Sequence, residues 1–294
     1  MKPAPFDYVR PNTLTEACRI LRENEDALPI AGGQTLVPML AMRLARPALI
    51  VDILRLPELA GIRREGEFVV IGAATRQVEA ERSALVAVDV PLLAAALPWV
   101  GHQPTRNRGT IGGSIANADP AAEIPLVART LDADIVIEDE EGSRIIPARD
   151  FFLGAMSTAL PPGACIREVR FPVWSEGRIG VGFHEISARR SDFAYVAAAA
   201  QLAIDADRRC LRVGLGLAGL ADRPIAIDVS RLIKSRPSEI ATDAQVRSAV
   251  EQATSDLDIA SDLHASASYR RRLAVALATR ALNDAAANAA SRAA

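Results

Sequence analysis

The sequence predicts an α+β protein in which two N-terminal lobes are followed by a smaller α+β domain. A chain of 294 residues is long for one hydrophobic core, and half of its residues are apolar, so two domains can each bury a core. In the first part of the chain, short apolar runs alternate with helical patterns. In the last third, several strand-like runs come first and two helical stretches follow, an order typical of α+β domains.

The first lobe, residues 1–57, is predicted to hold a leading helix and a small βαβ unit. Threonine side chains can cap the leading helix, and its apolar residues recur at helical spacing on one side. The predicted elements are a helix from Thr13 or Thr15 to about Glu23, a strand over 28–31, a helix over 36–44 that stops before Pro47, and a strand over 49–53.

The second lobe, residues 58–174, is predicted from a change to short strands around helices. Its clearest elements are strands over Phe68–Gly72 and 133–138 and a helix over 92–97. The segment 171–177 combines Pro, Gly and polar residues after a strand, so the domain boundary is expected there.

The C-terminal domain, residues 178–287, is predicted to place strands before helices. The strand-like runs include residues 183–186, 195–204, 211–218 and 225–229, and the helical stretches are 243–253 and 268–287. The run of three arginines at 270–272 is expected on an exposed helix face. Residues 288–294 are mostly small and show no clear helix or strand pattern, so we expect them to be frayed.

Two glycine-bearing segments carry most of the functional information. They read Ala31-Gly32-Gly33-Gln34-Thr35-Leu36 and Thr110-Ile111-Gly112-Gly113-Ser114-Ile115-Ala116-Asn117-Ala118-Asp119-Pro120. A Gly-Gly pair lets the backbone approach a ligand closely, and its N–H groups can then point at an anion. Two such segments suit a pyrophosphate, although the first one taken alone is equally consistent with a tight turn between strand and helix.

The two segments, TIGGSIANADPAAEIP and AGGQTLVPMLAMRLARP, together resemble the flavin subunit of molybdenum hydroxylases, and most of all the medium subunit of the carbon monoxide dehydrogenase and xanthine dehydrogenase group. The resemblance implies a two-lobed FAD-binding domain of the PCMH type over 1–174. It also implies a C-terminal domain like that of the carbon monoxide dehydrogenase flavoprotein, with a three-stranded antiparallel sheet and helices, over 178–287.

The resemblance implies a set of FAD-binding residues. The first segment would wrap the pyrophosphate, the second would line the cofactor, and an acid after the second segment would bond the adenosine end. The residues implied are Ala31, Gly32, Gly33, Gln34, Thr35, Thr110, Gly112, Gly113, Ser114, Asn117, Asp119, Glu123, Ile166, Glu185 and Phe193.

Three of these residues depart from the family pattern. Glu123 stands where many relatives have Asp, and its side chain is one methylene longer. Glu185 stands where relatives commonly have Lys, and a carboxylate disfavours negative charge nearby. Either Glu185 faces elsewhere, or Arg189 or Arg190 takes over the positive charge, and a solvated charged turn is the competing interpretation. Phe193 stands where some relatives have Tyr, so it can stack but cannot donate a hydrogen bond.

A third glycine motif, at residues 214–219, fits the dinucleotide fingerprint GxGxxG but lacks its context. The fingerprint needs a helix directly after the glycines, whereas here Asp222-Arg223-Pro224 leads into another apolar strand. We therefore expect no nucleotide site there.

Composition excludes several functions. The net charge of −2 and an aromatic content of 4% argue against a nucleic-acid partner. No apolar run reaches the roughly 18 residues of a membrane span, and no signal peptide opens the chain, so a cytoplasmic location is expected. The three cysteines and three histidines are scattered, which predicts no metal or iron–sulfur site and no catalytic set in this chain.

The family resemblance, together with the lack of metal ligands in this chain, implies the function of an electron-transfer subunit. Its FAD would take electrons from a [2Fe–2S] small subunit and pass them to an external acceptor, while a molybdopterin large subunit oxidises the substrate. A dimer of heterotrimers is the expected assembly. A flavin-free scaffold subunit and a stand-alone flavin oxidase are the alternatives, and the substrate and the acceptor (quinone, oxygen or NAD) stay open.

Overall fold

The computed structural model describes residues 2–235, 244–259 and 261–291. Its first lobe is a three-stranded parallel sheet in the order β1-β3-β2 with two helices. Its elements are β1 (Asp7–Val9), α1 (Leu14–Glu23), β2 (Ala27–Ile30), α2 (Leu36–Ala41) and β3 (Leu49–Asp52). Thr13 caps α1 by accepting a hydrogen bond from the Glu16 N–H, as predicted.

The helix α2 is shorter than predicted, and β1 was not predicted at all. The helix ends at Ala41 because Arg43, with φ of 60°, takes a left-handed conformation that a helix cannot continue through. Strand β1 gives little signal because it has only three residues and two of them are exposed.

The second lobe is built on a five-stranded antiparallel sheet in the order β4-β5-β10-β6-β7. Its strands are β4 (Ile62–Glu65), β5 (Phe68–Gly72), β6 (Asp134–Asp139), β7 (Gly142–Pro147) and β10 (Cys165–Pro172), with a separate two-stranded pair of β8 (Phe152–Gly154) and β9 (Ser157–Thr158). Its helices are α3 (Gln77–Arg82), α4 (Ala84–Asp89), α5 (Pro91–Ala96), α6 (Gln103–Arg108), α7 (Ile111–Asn117), α8 (Glu123–Leu131) and α9 (Ala148–Phe151), and short 3-10 turns cover Pro57–Leu59 and Leu97–Trp99.

The C-terminal domain is an antiparallel sheet in the order β11-β12-β13-β14, with helices from the end of the chain packed on it. It consists of β11 (Arg178–Ile186), β12 (Val196–Ile204), β13 (Cys210–Ala218), β14 (Ile225–Ala226), a 3-10 turn at Ser230–Leu232, α10 (Ala244–Ser255) and α11 (Ala267–Ser291). The two-residue β14 adds a fourth, edge strand to the three that the family resemblance implied.

The last helix corrects two expectations. It runs to Ser291, with Ala289 fully buried, so residues 288–291 are helical rather than frayed, and 292–294 lie outside the described residues. Arg270 is buried rather than exposed. Its guanidinium donates to the carbonyls of Tyr195 and Gly219 and pairs with Asp262, which ties α11 to the ends of two strands. A run of three arginines therefore does not show which of them is exposed, because successive residues of a helix point in different directions.

The C-terminal sheet is covered on both faces. On one face, a Cβ at Gly182 would lie 2.1 Å from the Ala281 carbonyl oxygen of α11, so glycine lets this helix lie directly on β11. On the other face, Phe183 packs on Trp99 of the second lobe, with ring centroids 6.0 Å apart. Strand β12 reads VAAAAQLAI and is buried throughout, because alanines on both sides fit between these layers.

The glycines of the GxGxxG motif serve this packing, as their strand context predicts. Gly214 and Gly216 lie in β13, and a Cβ at Gly216 would meet the Thr130 hydroxyl of α8 at 2.0 Å. No helix follows them, since Gly219 turns the chain with φ of 77° toward β14. The motif is a helix-packing surface between the domains.

Candidate functional site

The two glycine-bearing segments meet in space. A Cβ built on Gly32 would lie 2.4 Å from the carbonyl oxygen of Arg108 and 2.8 Å from the Cα of Gly109, so only glycine allows this approach of one backbone to the other. The Arg76 guanidinium donates a hydrogen bond to the same Arg108 carbonyl. The first segment therefore touches the residues that lead directly into the second, although the two are almost eighty residues apart in sequence.

The first segment leaves backbone donors unused. Gly33 has φ of 70°, a left-handed turn that glycine adopts without strain. Within the part of the chain that the structure describes, no acceptor is recorded for the backbone N–H groups of Gly33, Gln34 and Thr35. The Thr35 hydroxyl caps nothing either. Consecutive free N–H groups in such a turn form a concave site that suits phosphate oxygens.

The second segment is different, because its glycines lie inside helix α7 and its N–H groups are already bonded. The N–H of Ile111 donates to Thr75 O at 3.0 Å, that of Gly112 to Ala73 O at 2.9 Å, and that of Gly113 to the Thr110 Oγ1 at 3.1 Å. These donors were expected to point at an anion. Instead, the first two hold the start of α7 against the residues that follow β5, and the third is satisfied by the capping Thr110 of the same segment.

Gly112 is needed for packing. A Cβ at this position would lie 2.4 Å from the Ala73 Cβ and 2.7 Å from the Ala73 Cα, which real atoms do not do. Gly112 is buried, whereas Gly113 is exposed. The close helix-to-strand contact at Gly112 sets where the rest of α7 lies.

Helix α7 offers side chains to a ligand. Ser114 and Asn117 are half-buried, three positions apart on the helix, and neither side chain has a recorded hydrogen-bond partner among the described residues. Ala118 ends the helix in a left-handed conformation, with φ of 48°. The Asp119 Oδ1 then accepts from the Ala121 N–H at 2.9 Å, so Asp119 shapes the turn into α8.

Two glutamates face each other between the domains. Glu123 opens α8, and burial, with the Asp119 carboxylate nearby, raises the pKa of Glu123 to about 7. Glu185 of β11 is only 7% exposed and neither of its carboxylate oxygens has a hydrogen-bond partner. Burial, and to a smaller extent repulsion from Glu123, together raise the pKa of Glu185 to about 8.

Glu185 therefore does not face away from the second lobe. Arg189 is exposed, and Arg190 lies over the Trp99 ring, 6.0 Å from its centroid, on the wall of a cavity of about 260 Å³ that Arg106 also lines. Neither of the two candidate replacement cations acts on the Glu185 carboxyl. The positive charge that the resemblance implied at this point is absent among the described residues.

The remaining two predicted residues lie apart from these groups. Ile166 pairs with Ile137 in the five-stranded sheet and is 4% exposed, so its side chain belongs to the hydrophobic core. Phe193 is 76% exposed in the loop between β11 and β12. Their contact with a cofactor stays a prediction.

Sequence reasoning missed Arg76 and Gln77, which join α3 to the second segment. Arg76 forms an isolated bridge with Thr110, and the Gln77 N–H donates to Gly109 O at 2.9 Å. The buried Gln77 Oε1 has no partner. No local signal points to these residues, because their role depends on contacts with residues some thirty positions later.

The geometry and the comparisons with known proteins agree on one class. Residues 4–174 match the FAD binding domain in molybdopterin dehydrogenase, and residues 182–285 match the CO dehydrogenase flavoprotein C-terminal domain. The chain belongs to this family of FAD-binding medium subunits, which are oxidoreductase components of molybdenum hydroxylase complexes.

Particular relatives match over almost their whole length. The chain is 36% identical to the 6-hydroxypseudooxynicotine dehydrogenase complex subunit alpha of Paenarthrobacter nicotinovorans, covering 96% of this chain and 95% of that protein. It is 35% identical to the carbon monoxide dehydrogenase medium chain of Afipia carboxidovorans, covering 98% and 99%. A crystal structure of the cyanide-inactivated Cu,Mo-CO dehydrogenase contains a chain that superposes with a TM-score of 0.92 at 34% identity, covering 98% of this chain and 100% of that one.

No helix in the described part of the chain is long and apolar enough to cross a membrane.

Proposed function

We propose that this chain holds one FAD at the junction of its two glycine-bearing segments and serves as the electron-transfer subunit of a molybdenum hydroxylase. The observation that carries the proposal is the row of free N–H donors at Gly33, Gln34 and Thr35, packed against the residues that lead into α7. Such donors fit the oxygens of a diphosphate, the one strongly anionic part of FAD.

The other predicted residues take separate roles in this proposal. Ala31 and Gly32 seat the diphosphate-binding turn, and Thr110, Gly112 and Gly113 set the position of α7. Ser114 and Asn117 present free polar groups, while Asp119, Glu123 and Glu185 form a group of acids beside them. Ile166 and Phe193 complete the proposed set as apolar neighbours.

The flavin, when bound, supplies the chemistry that accepts electrons one or two at a time. The protein residues bind the cofactor, orient it and exclude water from part of it. In the proposed complex a [2Fe–2S] subunit delivers the electrons, a molybdopterin subunit oxidises the substrate, and two such heterotrimers assemble in the cytoplasm. The named relatives differ in what they oxidise, so the substrate is not assigned to this chain.

Spectroscopy of the purified full-length chain tests the proposal. We expect the flavin-free protein to bind added FAD at one-to-one stoichiometry, with quenching of the free flavin fluorescence and a visible absorbance band that survives gel filtration. FMN and riboflavin, which lack the full diphosphate, should bind much more weakly. A folded protein that retains no FAD would overturn the proposal.

A flavin-free scaffold subunit is the second candidate, because an unpaired glutamate occupies the place of a family lysine. In that case the chain would co-purify with molybdenum and iron–sulfur partners, yet the complex would contain no FAD on extraction.

A further inference from the structure

The side chain of Glu185 points from the C-terminal domain toward the FAD-binding domain. Strand β11 alternates its faces: Gly180 and Gly182 contact α11, and the His184 Nε2 lies 2.8 Å from Asp284 of the same helix. Phe183, on the opposite face, contacts Trp99 of the second lobe. Glu185 shares the face of Phe183, since side chains two apart in a strand lie on the same side.

Among the residues that the structure describes, no group forms a hydrogen bond with this carboxyl. It is buried, both of its oxygens lack a hydrogen-bond partner, and its strand neighbour in β12 is Ala197. A buried polar group without a hydrogen-bond partner destabilises the folded protein, so an unpaired carboxyl that is kept there calls for an explanation. The two free oxygens indicate that a partner arrives from outside the chain.

The charges around Glu185 favour its neutral form. Glu123 of α8 repels the Glu185 carboxylate, Asp119 in turn repels Glu123, and the 3-10 turn at Leu97–Trp99 contributes no charge. The nearest cation acting on Glu123 is Arg106 of α6, which is itself paired with Glu81 at 2.8 Å. The hydrogen-bonded pair of His184 and Asp284 lies on the other face of the strand.

We propose that Glu185 acts as a neutral carboxylic acid that, together with Glu123, forms a hydrogen-bonding pair for the uncharged hydroxyl and amide groups of FAD. This inference rests on the proposed function. A neutral carboxyl both donates and accepts, so it can meet a sugar hydroxyl, whereas two ionised carboxylates would repel each other and the diphosphate. The pair thus serves a part of FAD other than the diphosphate, which the proposed function assigns to the first glycine segment.

The pH dependence of FAD affinity follows from this assignment. The free protein has a pKa of about 8 at Glu185, and only the protonated form would bind FAD well. Affinity is then constant below that pKa and falls as pH rises through it, by about tenfold between pH 7 and pH 9 if the ionised form does not bind.

Titration of the flavin-free, full-length chain with FAD across this pH range tests the proposal. The isosteric variant Glu185→Gln stays neutral, so we expect its affinity to vary less than twofold from pH 7 to pH 9. In Glu123→Gln the repulsion is gone, so the fall in affinity should begin at lower pH than in the natural protein. His184→Gln changes the opposite face of the same strand and should keep the natural profile.

The outcomes distinguish failure of the proposed FAD-binding function from failure of the role assigned to Glu185. Absence of FAD binding at every pH would overturn both the proposed function and this inference. Tight FAD binding with equal affinity at pH 7 and pH 9 would overturn only the inference, and so would a tenfold fall that persists in Glu185→Gln. Circular dichroism at each pH shows whether the fold is retained. If a variant does not fold, the dependence of FAD affinity on pH in the natural protein still tests the inference.

Discussion

The two glycine-bearing segments look alike in sequence but use glycine in different ways. In the first, Gly33 adopts a left-handed turn and the N–H groups that follow it are free. In the second, Gly112 lies within a helix, packs against Ala73, and donates its N–H to the protein. A Gly-Gly pair therefore does not by itself show where its donors point. The first segment has the free donors that the proposed function assigns to an anion, and the second positions a helix.

The largest effect should come from Gly112→Val, which tests the packing role of the second segment. The new side chain would meet the Ala73 backbone, with the Cα at 2.7 Å and the carbonyl oxygen at 2.8 Å, and neither can move aside without shifting β5. We expect a loss of at least about 3 kcal/mol in the free energy of unfolding, measured by urea denaturation. Ala116→Ser, at an exposed position of the same helix, is the control.

A natural unfolding curve for Gly112→Val, combined with loss of FAD alone, would contradict this role. That result would return Gly112 to direct contact with the cofactor and make the two segments equivalent.

An intermediate effect is expected for Gly32→Ala, which tests the contact between the segments. Its methyl group would press on the Arg108 carbonyl at 2.4 Å, so the first segment must move away from the second. We expect a loss of about 1–3 kcal/mol in unfolding free energy, together with weaker FAD binding in fluorescence titrations. If FAD affinity stayed at its natural value, the contact would be unnecessary for the site.

The smallest effect is expected for Gly33→Ala, which tests the left-handed turn. With φ of 70°, an alanine should lower the unfolding free energy by about 1 kcal/mol and distort the free N–H row, weakening FAD binding. Gly66→Ala is a matched control, since Gly66 has φ of 55°, no atom within 4 Å of its added methyl, and a place in a remote hairpin. Equal losses of FAD affinity in both variants would show that the turn at Gly33 has no special function.

Local patterns predicted the regular parts of the fold. The capped helix α1, the βαβ unit around Gly32 and the strands-then-helices order of the C-terminal domain follow from periodicity and turn residues. The parts that were missed depend on distant contacts. The edge strands β4 and β7 carry mostly exposed residues, so they show no apolar pattern, and the burial of Arg270 depends on carbonyls at the ends of two strands.

The candidate site was predictable only in part. The two glycine segments could be found from their sequence, and their family resemblance indicated FAD. That Glu185 faces Glu123 could not be deduced, because it depends on how the C-terminal sheet lies against α8. The internal hydrogen bonds of Gly112 also needed three-dimensional information, since their acceptor, Ala73, is far away in the sequence.

The alanine-rich strand β12 has a consequence for how this polypeptide can be taken apart. Its side chains enter two cores at once, one shared with the N-terminal lobes and one with α11. If the two family-matched regions were expressed separately, apolar residues that are now buried between them would be exposed to water on both fragments. We expect neither fragment to fold stably alone. Recombination that exchanges one half for a relative's half has to preserve the small residues on both sides of this strand, so the two halves are bound to evolve together.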